Sequence, residues 1–263
     1  MSRYFKLYAI FFKANAMRAL SYRRVRFWLF VFLTGLESLS IYVSIVILFN
    51  HVTNIAGWTY NDMLVLIGVF MITSSLSWIL FKGGVSELDG LVKRGDLDWL
   101  LVKPVDPQFI VSTHRMDLED AGRSIVGIFI VFAGLREAPL FETILRLPVF
   151  FLTLMCGQMV LYAVMLSVKT ISFKSIEGWS TNAISWRFQD LARYPTDIYR
   201  GIARVVYTFV LPLVFVTTVP VKLLTKEFDI LLIVGALLAA VLSFIVCRII
   251  WKIALRSYAS ASS

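Results

Sequence analysis

Ile230-Leu-Leu-Ile-Val-Gly-Ala-Leu-Leu-Ala-Ala-Val-Leu-Ser-Phe-Ile-Val-Cys-Arg-Ile-Ile-Trp251 carries one charged side chain, Arg248, near its end. Coiled as a helix, this run is long enough to cross about 30 Å of hydrocarbon. Working outward, five more apolar runs precede it: Phe27 to Phe49, Met63 to Phe81, Ile125 to Leu135, Leu147 to about Val168, and Ile202 to Val221. The Ile125 run is short by itself and is expected to start near Ala121, with Arg123 reaching toward the headgroups. The Ile202 run contains Pro212 and Pro220, which should kink or end its helix. The Phe27 run exceeds the ~7–15-residue core of a signal peptide and no small-residue cleavage site follows, so it is expected to stay. The pattern predicts an all-α integral membrane protein with six spans.

Composition supports the same class. Of 263 residues, 59% are hydrophobic and 16% charged. A soluble domain has about 25% charged and about 45–50% apolar residues, so lipid must solvate much of this surface. The net charge of +9 would suit a nucleic-acid binder, but the basic residues cluster between the apolar runs, as in loops facing anionic headgroups. No nucleic-acid partner is expected. Cys156 and Cys247 lie within apolar runs and read as small buried hydrophobes. His51 and His114 are too far apart for a ligand pair and read as a loop and a surface residue.

The cations orient the spans. Arg136, Arg146, Lys222 and Lys226 fall on one side, and the other 22 of the 26 Lys and Arg residues fall on the opposite side. The majority side should be cytoplasmic, with both termini and the two long loops. Trp58, Glu142 and Lys226 would then face outward.

Two cytoplasmic elements follow. Residues Tyr4 to Arg24 read as an amphipathic interfacial helix, with Arg3, Lys6 and Lys13 on one side and Tyr4, Phe5, Tyr8, Phe11 and Phe12 as apolar bulk. The chain divides into this segment, 1–26, and a membrane domain, 27–263. The loop 82–107 mixes Glu87, Asp89, Lys93, Arg94, Asp96 and Asp98 with Leu88, Leu91 and Val92, then Leu97, Trp99, Leu100 and Leu101. A merely solvated loop would not need those leucines; a short helix docked in another protein's groove would use them as anchors.

Within this loop Gly95-Asp-Leu-Asp-Trp-Leu-Leu-Val-Lys-Pro104 resembles the Gly-x-Leu-Asp-x-Leu-Leu-x-(Arg/Lys)-Pro signature of ABC-2-type permeases. Arg193-Tyr-Pro-Thr-Asp-Ile-Tyr-Arg-Gly201, Phe209-Val-Leu-Pro212, Val219-Pro220, the opening Ala19-Leu-Ser-Tyr-Arg23 and the ending from Trp251 to Ser263 are similar to the small six-span bacterial branch of that family. The resemblance implies six transmembrane helices, pairing with a second permease of the same or related sequence, and residence in the bacterial cytoplasmic membrane. It also implies two cytoplasmic ABC ATPase subunits that hold the ATP and Mg, this chain holding no cofactor. The coupling element would run from about Ser86 to Leu101 and use Glu87, Leu88, Leu91, Arg94, Gly95, Asp96, Leu97, Asp98, Leu100, Leu101 and Pro104. Only about Lys222 to Phe228 lies between the last two spans, so no large outer gate is expected.

The chain lacks Gly-x-x-x-x-Gly-Lys-(Ser/Thr), so an exporter would draw its energy from a partner. An ion-coupled carrier would need ionisable groups deep in the bilayer, and Glu37 alone qualifies. An enzyme would need a nucleophile–base set or metal cluster; Asp117, Glu119 and Asp120 read instead as a solvated helix start. A non-transporting scaffold stays open. Glu37 lies about 13 Å along the helix from Trp28, near the bilayer middle. It should face protein, either bonded to a hydroxyl such as Ser74 or Ser75 or lining a dimer interface or cargo path. Ser38, Ser40, Ser44, Thr73, Ser74 and Ser75 suit an amphipathic cargo or helix packing equally.

Overall fold

The computed structural model describes residues 2–22, 24–173, 187–226 and 228–258, and these contain helices and no strand. Helices α1 (Ser2–Tyr22) and α2 (Arg24–His51) lead into α3 (Tyr60–Ser77), α4 (Gly83–Arg94), α5 (Leu97–Leu101) and α6 (Pro107–Thr113). Next come α7 (Ala121–Gly134), α8 (Leu140–Lys169), a short α9 over 187–191, α10 (Ile202–Val205), α11 (Thr218–Thr225) and α12 (Ile230–Arg256). Lys174 and the closing 259–263 fall outside the described residues, as do the side chains of Arg24, Arg26, Ser38 and Glu119.

Helix α3 is the hub because it is apolar on all sides and buried nearly throughout. Its start is fixed by a reciprocal cap: the Asp62 amide donates to the Thr59 hydroxyl (3.3 Å), and the Thr59 amide donates to the Asp62 carboxylate (3.0 Å). Helix α7 lies antiparallel against it. A Cβ on Gly68 would come within 2.6 Å of the Gly127 carbonyl, and one on Gly127 within 2.7 Å of the Gly68 carbonyl. Only glycine lets the two backbones approach this closely, the small-residue packing expected where lipid gives helices no hydrophobic reason to associate.

Among the described residues, three helical stretches are long and apolar enough to cross a membrane: Tyr60–Arg94, Leu140–Lys169 and Ile230–Arg256. The first is α3 and α4 joined by a π-helical turn, Trp78–Lys82, and has 35 residues. It rises about 52 Å against about 30 Å of hydrocarbon, so its α4 part extends past the apolar layer. Gly35–His51 and Ala121–Gly134 are shorter apolar helices. The Ala121 start agrees with the sequence reading of the third run.

The fifth run is not a continuous helix. Helix α10 and a π-helical stretch, Val206–Val210, stop at Leu211-Pro212, and the chain resumes through Leu213–Phe215 into α11. Pro212 ends the first piece as expected. Pro220 does not end the second, because it sits in the first turn of α11, where its missing N–H has no partner to lose.

One end of the bundle gathers Trp58, Glu142 and Lys226, residues assigned together to the outer side. The Lys226 ammonium lies 4.3 Å over the Trp58 ring, the Arg146 guanidinium donates to the Lys226 carbonyl, and Glu142 pairs with Arg146 at 3.1 Å. The same end contains Asp197 and Arg204, which corrects the charge tally. The Trp58 indole N–H donates to Asp197 (3.1 Å), Lys222 pairs with Asp197 at 2.7 Å, and Arg204 lies 3.9 Å from it. The segment after α9 therefore climbs to the Trp58 end before α10, and does not stay with the opposite loop.

Candidate functional site

Helices α4 and α5 form a hairpin at the end opposite Trp58. Gly95 makes the bend: its φ of 73° is left-handed, and its amide closes α4 on the Val92 carbonyl. The hairpin's apolar face belongs to the protein's own core. Leu88, Leu91 and Leu97 are buried, with Leu100 and Leu101 half-buried against the same cluster, beside Leu166 of α8 and Trp251 of α12. This corrects the expectation that those leucines anchor in a partner's groove. What the hairpin presents outward is Trp99, 75% exposed, and Val102, 77% exposed, with Lys93, Arg94, Asp96, Lys103 and Pro104 around them. Trp99 stood in the loop's apolar patch, but its exposure, and that of Val102, follows from a helical phase that the sequence pattern did not fix.

The polar residues of the hairpin hold it to the body. Asp89 accepts from Lys169 in a buried pair that joins α4 to α8. Glu87 accepts from Arg115 (2.6 Å), and the His114 ring nitrogen lies 3.0 Å from its other oxygen. His114 is thus half-buried in a network. Arg94 and Asp96 pair at the exposed tip, 2.6 Å apart, and Asp98 stands beside Tyr258. Behind the hairpin, Asp106 caps α6 and receives both terminal nitrogens of Arg248 from α12. Burial pushes the Asp106 carboxyl up, but the Arg248 hydrogen bonds and charge, with the amides of Phe109 and Gln108, hold it below its ordinary value. Gln108 also donates to the Tyr162 hydroxyl of α8 (3.0 Å). Helix α1 joins in through Arg3, which donates to the Pro104 carbonyl (3.1 Å), and Tyr4, whose ring meets Phe109 edge-on at 5.0 Å.

A family profile described as ABC-2 family transporter protein matches residues 36–262. The chain belongs to that family. No curated protein and no solved structure matches it. The family is one of transporter membrane subunits, which agrees with the apolar helices and the all-helical architecture. The family match begins within α2 and includes the whole hairpin.

Glu37 has partners other than those expected. Ser75 donates to the Asp120 carbonyl (2.7 Å), while Glu37 accepts from Arg123 (3.1 Å) and lies 3.8 Å from Arg193. From Glu37 to the end of α2 at His51 the helix rises about 21 Å. Taking that end as one membrane face of a ~30 Å layer, Glu37 lies about 6 Å past the midplane, close to the depth expected of it. Asp120 is almost fully buried in the same cluster, 3.4 Å from Arg123, and is not a solvated helix start. Lys82 completes it, packed 4.4 Å over the Trp78 ring and donating to Gln189. Of these residues, Arg123 was expected at the headgroups and Arg193 in a loop. No run of apolar residues surrounds Arg193 to mark its depth.

At the Trp58 end a cavity of about 1120 Å³ is lined by Glu137, Glu142, Arg146, Asp197, Arg204 and Lys222, among others. Among the described residues no group of three metal-ligating side chains occurs.

Proposed function

We propose that this chain is the membrane-spanning permease subunit of an ATP-binding-cassette exporter, crossing the bilayer six times, with the α4–α5 hairpin as the element that receives motion from a cytoplasmic ATPase. The permease pairs with a second permease of the same or related sequence, and the two ATPase subunits supply ATP and Mg. Both termini, the hairpin and the α8–α9 connection lie in the cytoplasm of a bacterial inner membrane, and the cavity at Trp58 opens outward.

The observation that carries this reading is the hairpin's two-sidedness. It stands past the hydrocarbon on an extension of the hub helix, and its inner face is locked to α8 by Asp89–Lys169 and by the buried leucines. Its outer face leaves a tryptophan and a valine in the open. An aromatic anchor ringed by charge is the composition of a binding hot spot, and a push on it is delivered directly to the long helices. Trp99, Val102, Arg94, Asp96, Lys103 and Pro104 form the docking face; Glu87, Leu88, Leu91 and Leu97 work from behind as its mounting.

Affinity purification of the chain from its native membrane tests the reading. An ATPase should co-purify in stoichiometric amount, and Trp99→Asp should abolish its recovery. Recovery of the permease alone, or of an ATPase indifferent to Trp99→Asp and Val102→Asp, overturns the assignment. The ion-coupled alternative draws on the charges around Glu37, and transport that follows a proton gradient without ATP would favour it.

A further inference from the structure

Among the described residues, Arg193 is a deep charge with few acceptors. Its guanidinium lies 5.4 Å from the ring of Phe70, and Phe70 is about 15 Å along α3 from Tyr60, half of a ~30 Å apolar layer. The nearest carboxylates are Glu37 at 3.8 Å and Asp190 at 3.9 Å, both beyond hydrogen-bond reach. Its Nε is buried and meets no acceptor among the described residues. Two more buried donors stand beside it. Nε2 of Gln189, whose side chain is almost wholly enclosed, has no acceptor, and Nε of Arg123 makes no hydrogen bond, facing at 3.4 Å an Asp120 carboxylate whose two oxygens are also buried and unbonded. With Lys82, three cations face the two carboxylates of Glu37 and Asp120, and Asp190 is exposed at the edge. Intramembrane charges are costly and default to a functional role, and a cation with its donors unspent in a low-dielectric site is an anion receptor.

The way in is lateral. Glu37 is half-exposed on α2, a helix whose Phe32, Leu33, Leu36 and Leu39 face outward. A ligand arriving from the bilayer meets Glu37 first and Arg193 behind it. We propose that Arg193, Arg123 and Gln189 form a binding site for the oxyanion headgroup, phosphate or carboxylate, of a membrane amphiphile, entered from the lipid past α2, with Glu37 as the resident carboxylate that the headgroup displaces. The site is a property of the permease alone and does not depend on ATPase docking.

Native mass spectrometry of the purified chain, released from micelles containing equal phosphatidylglycerol and phosphatidylcholine, tests it. The wild type should retain phosphatidylglycerol over phosphatidylcholine by about tenfold or more, the scale of a charge-assisted hydrogen bond. Arg193→Gln should erase that preference, and Arg193→Lys should restore only part of it, since an ammonium lacks the planar fork. Glu37→Gln should raise phosphatidylglycerol retention by removing the competitor, which a merely structural ion pair would not do. Millimolar inorganic phosphate should leave retention unchanged if the headgroup is a lipid's; displacement by phosphate would assign the site to a free anion instead and overturn lateral entry. Equal retention of both lipids by the wild type, or lowered phosphatidylglycerol retention in Glu37→Gln, overturns the proposal even if the arginine variants fail to fold.

Discussion

Asp89 of α4 and Lys169, the last residue of α8, form an ion pair that is almost completely buried, with side-chain exposures of 8% and 1%. Breaking such a pair from one side costs about 3–5 kcal/mol, because the remaining charge stays in a low-dielectric site, while replacing both members with apolar residues is often nearly neutral. Lys169→Met should therefore lower the melting temperature sharply in detergent. The double variant Asp89→Leu, Lys169→Met should recover most of it. A double-mutant cycle with a coupling energy near zero would show that the two residues do not depend on each other.

The two apolar faces of the hairpin should separate under substitution. Trp99→Asp changes an exposed residue, and its effect on unfolding should stay within about 0.5 kcal/mol. Leu97→Asp forces a charge into a site with no exposure, losing at least the roughly 1.5–3 kcal/mol of a buried leucine. Thermal melts of the two purified variants check this. A Leu97→Asp protein as stable as wild type would place Leu97 on the surface.

Acid should loosen the Trp58 end. Burial raises the Asp197 carboxyl, but hydrogen bonds from Lys222 and the Trp58 indole, with the charges of Lys222 and Arg204, hold it below its ordinary value. A depressed folded value means that stabilisation is present above the unfolded value of about 3.9 and is lost as pH falls through the folded one. The window is thus below about pH 4. Melting temperatures between pH 6 and pH 3 should fall more steeply for wild type than for Asp197→Asn, and parallel curves would show that Asp197 contributes nothing.

The charges at the Trp58 end give a labelling test. Cys156 and Cys247 are buried, so an impermeant maleimide should meet little background. Single cysteines at Arg204 and Lys226 should react from the same side of the membrane, and cysteines at Arg94 and Lys103 from the other. Reaction of position 204 together with position 94 would restore the original charge tally and reject the climb after α9.

The apolar runs were legible because they are set by composition, and Tyr60–Arg94, Leu140–Lys169 and Ile230–Arg256 follow from it. The end of α4 at Gly95 was not read, since the coupling element was drawn as one stretch from about Ser86 to Leu101. Nor were the faces of the hairpin. Leu97 and Trp99 are two apolar residues two positions apart, and only the packing of α5 against α4 and α6, with Leu97 in the core cluster, decides which turns inward. The depth of Arg193 was also hidden, because an irregular climbing segment has neither helical period nor apolar length. Pro212 marked the break in the fifth run, but no local signal told that Asp197 would meet Lys222, a pairing made by two segments whose charges had been assigned to opposite sides.

The π-helical turn at Trp78–Lys82 sets the azimuth of everything below it. An α-helix advances about 100° per residue, and a π turn accommodates one residue beyond the α repeat. The face of α4 that meets α8 is therefore rotated by about that angle from where an unbroken α3 would point it. Deleting one residue from the turn would restore the regular helix and swing Asp89 away from Lys169, with no side chain in the contact altered. The hub helix is thus geared at this turn: its upper part can stay clamped to α7 while the lower part changes heading.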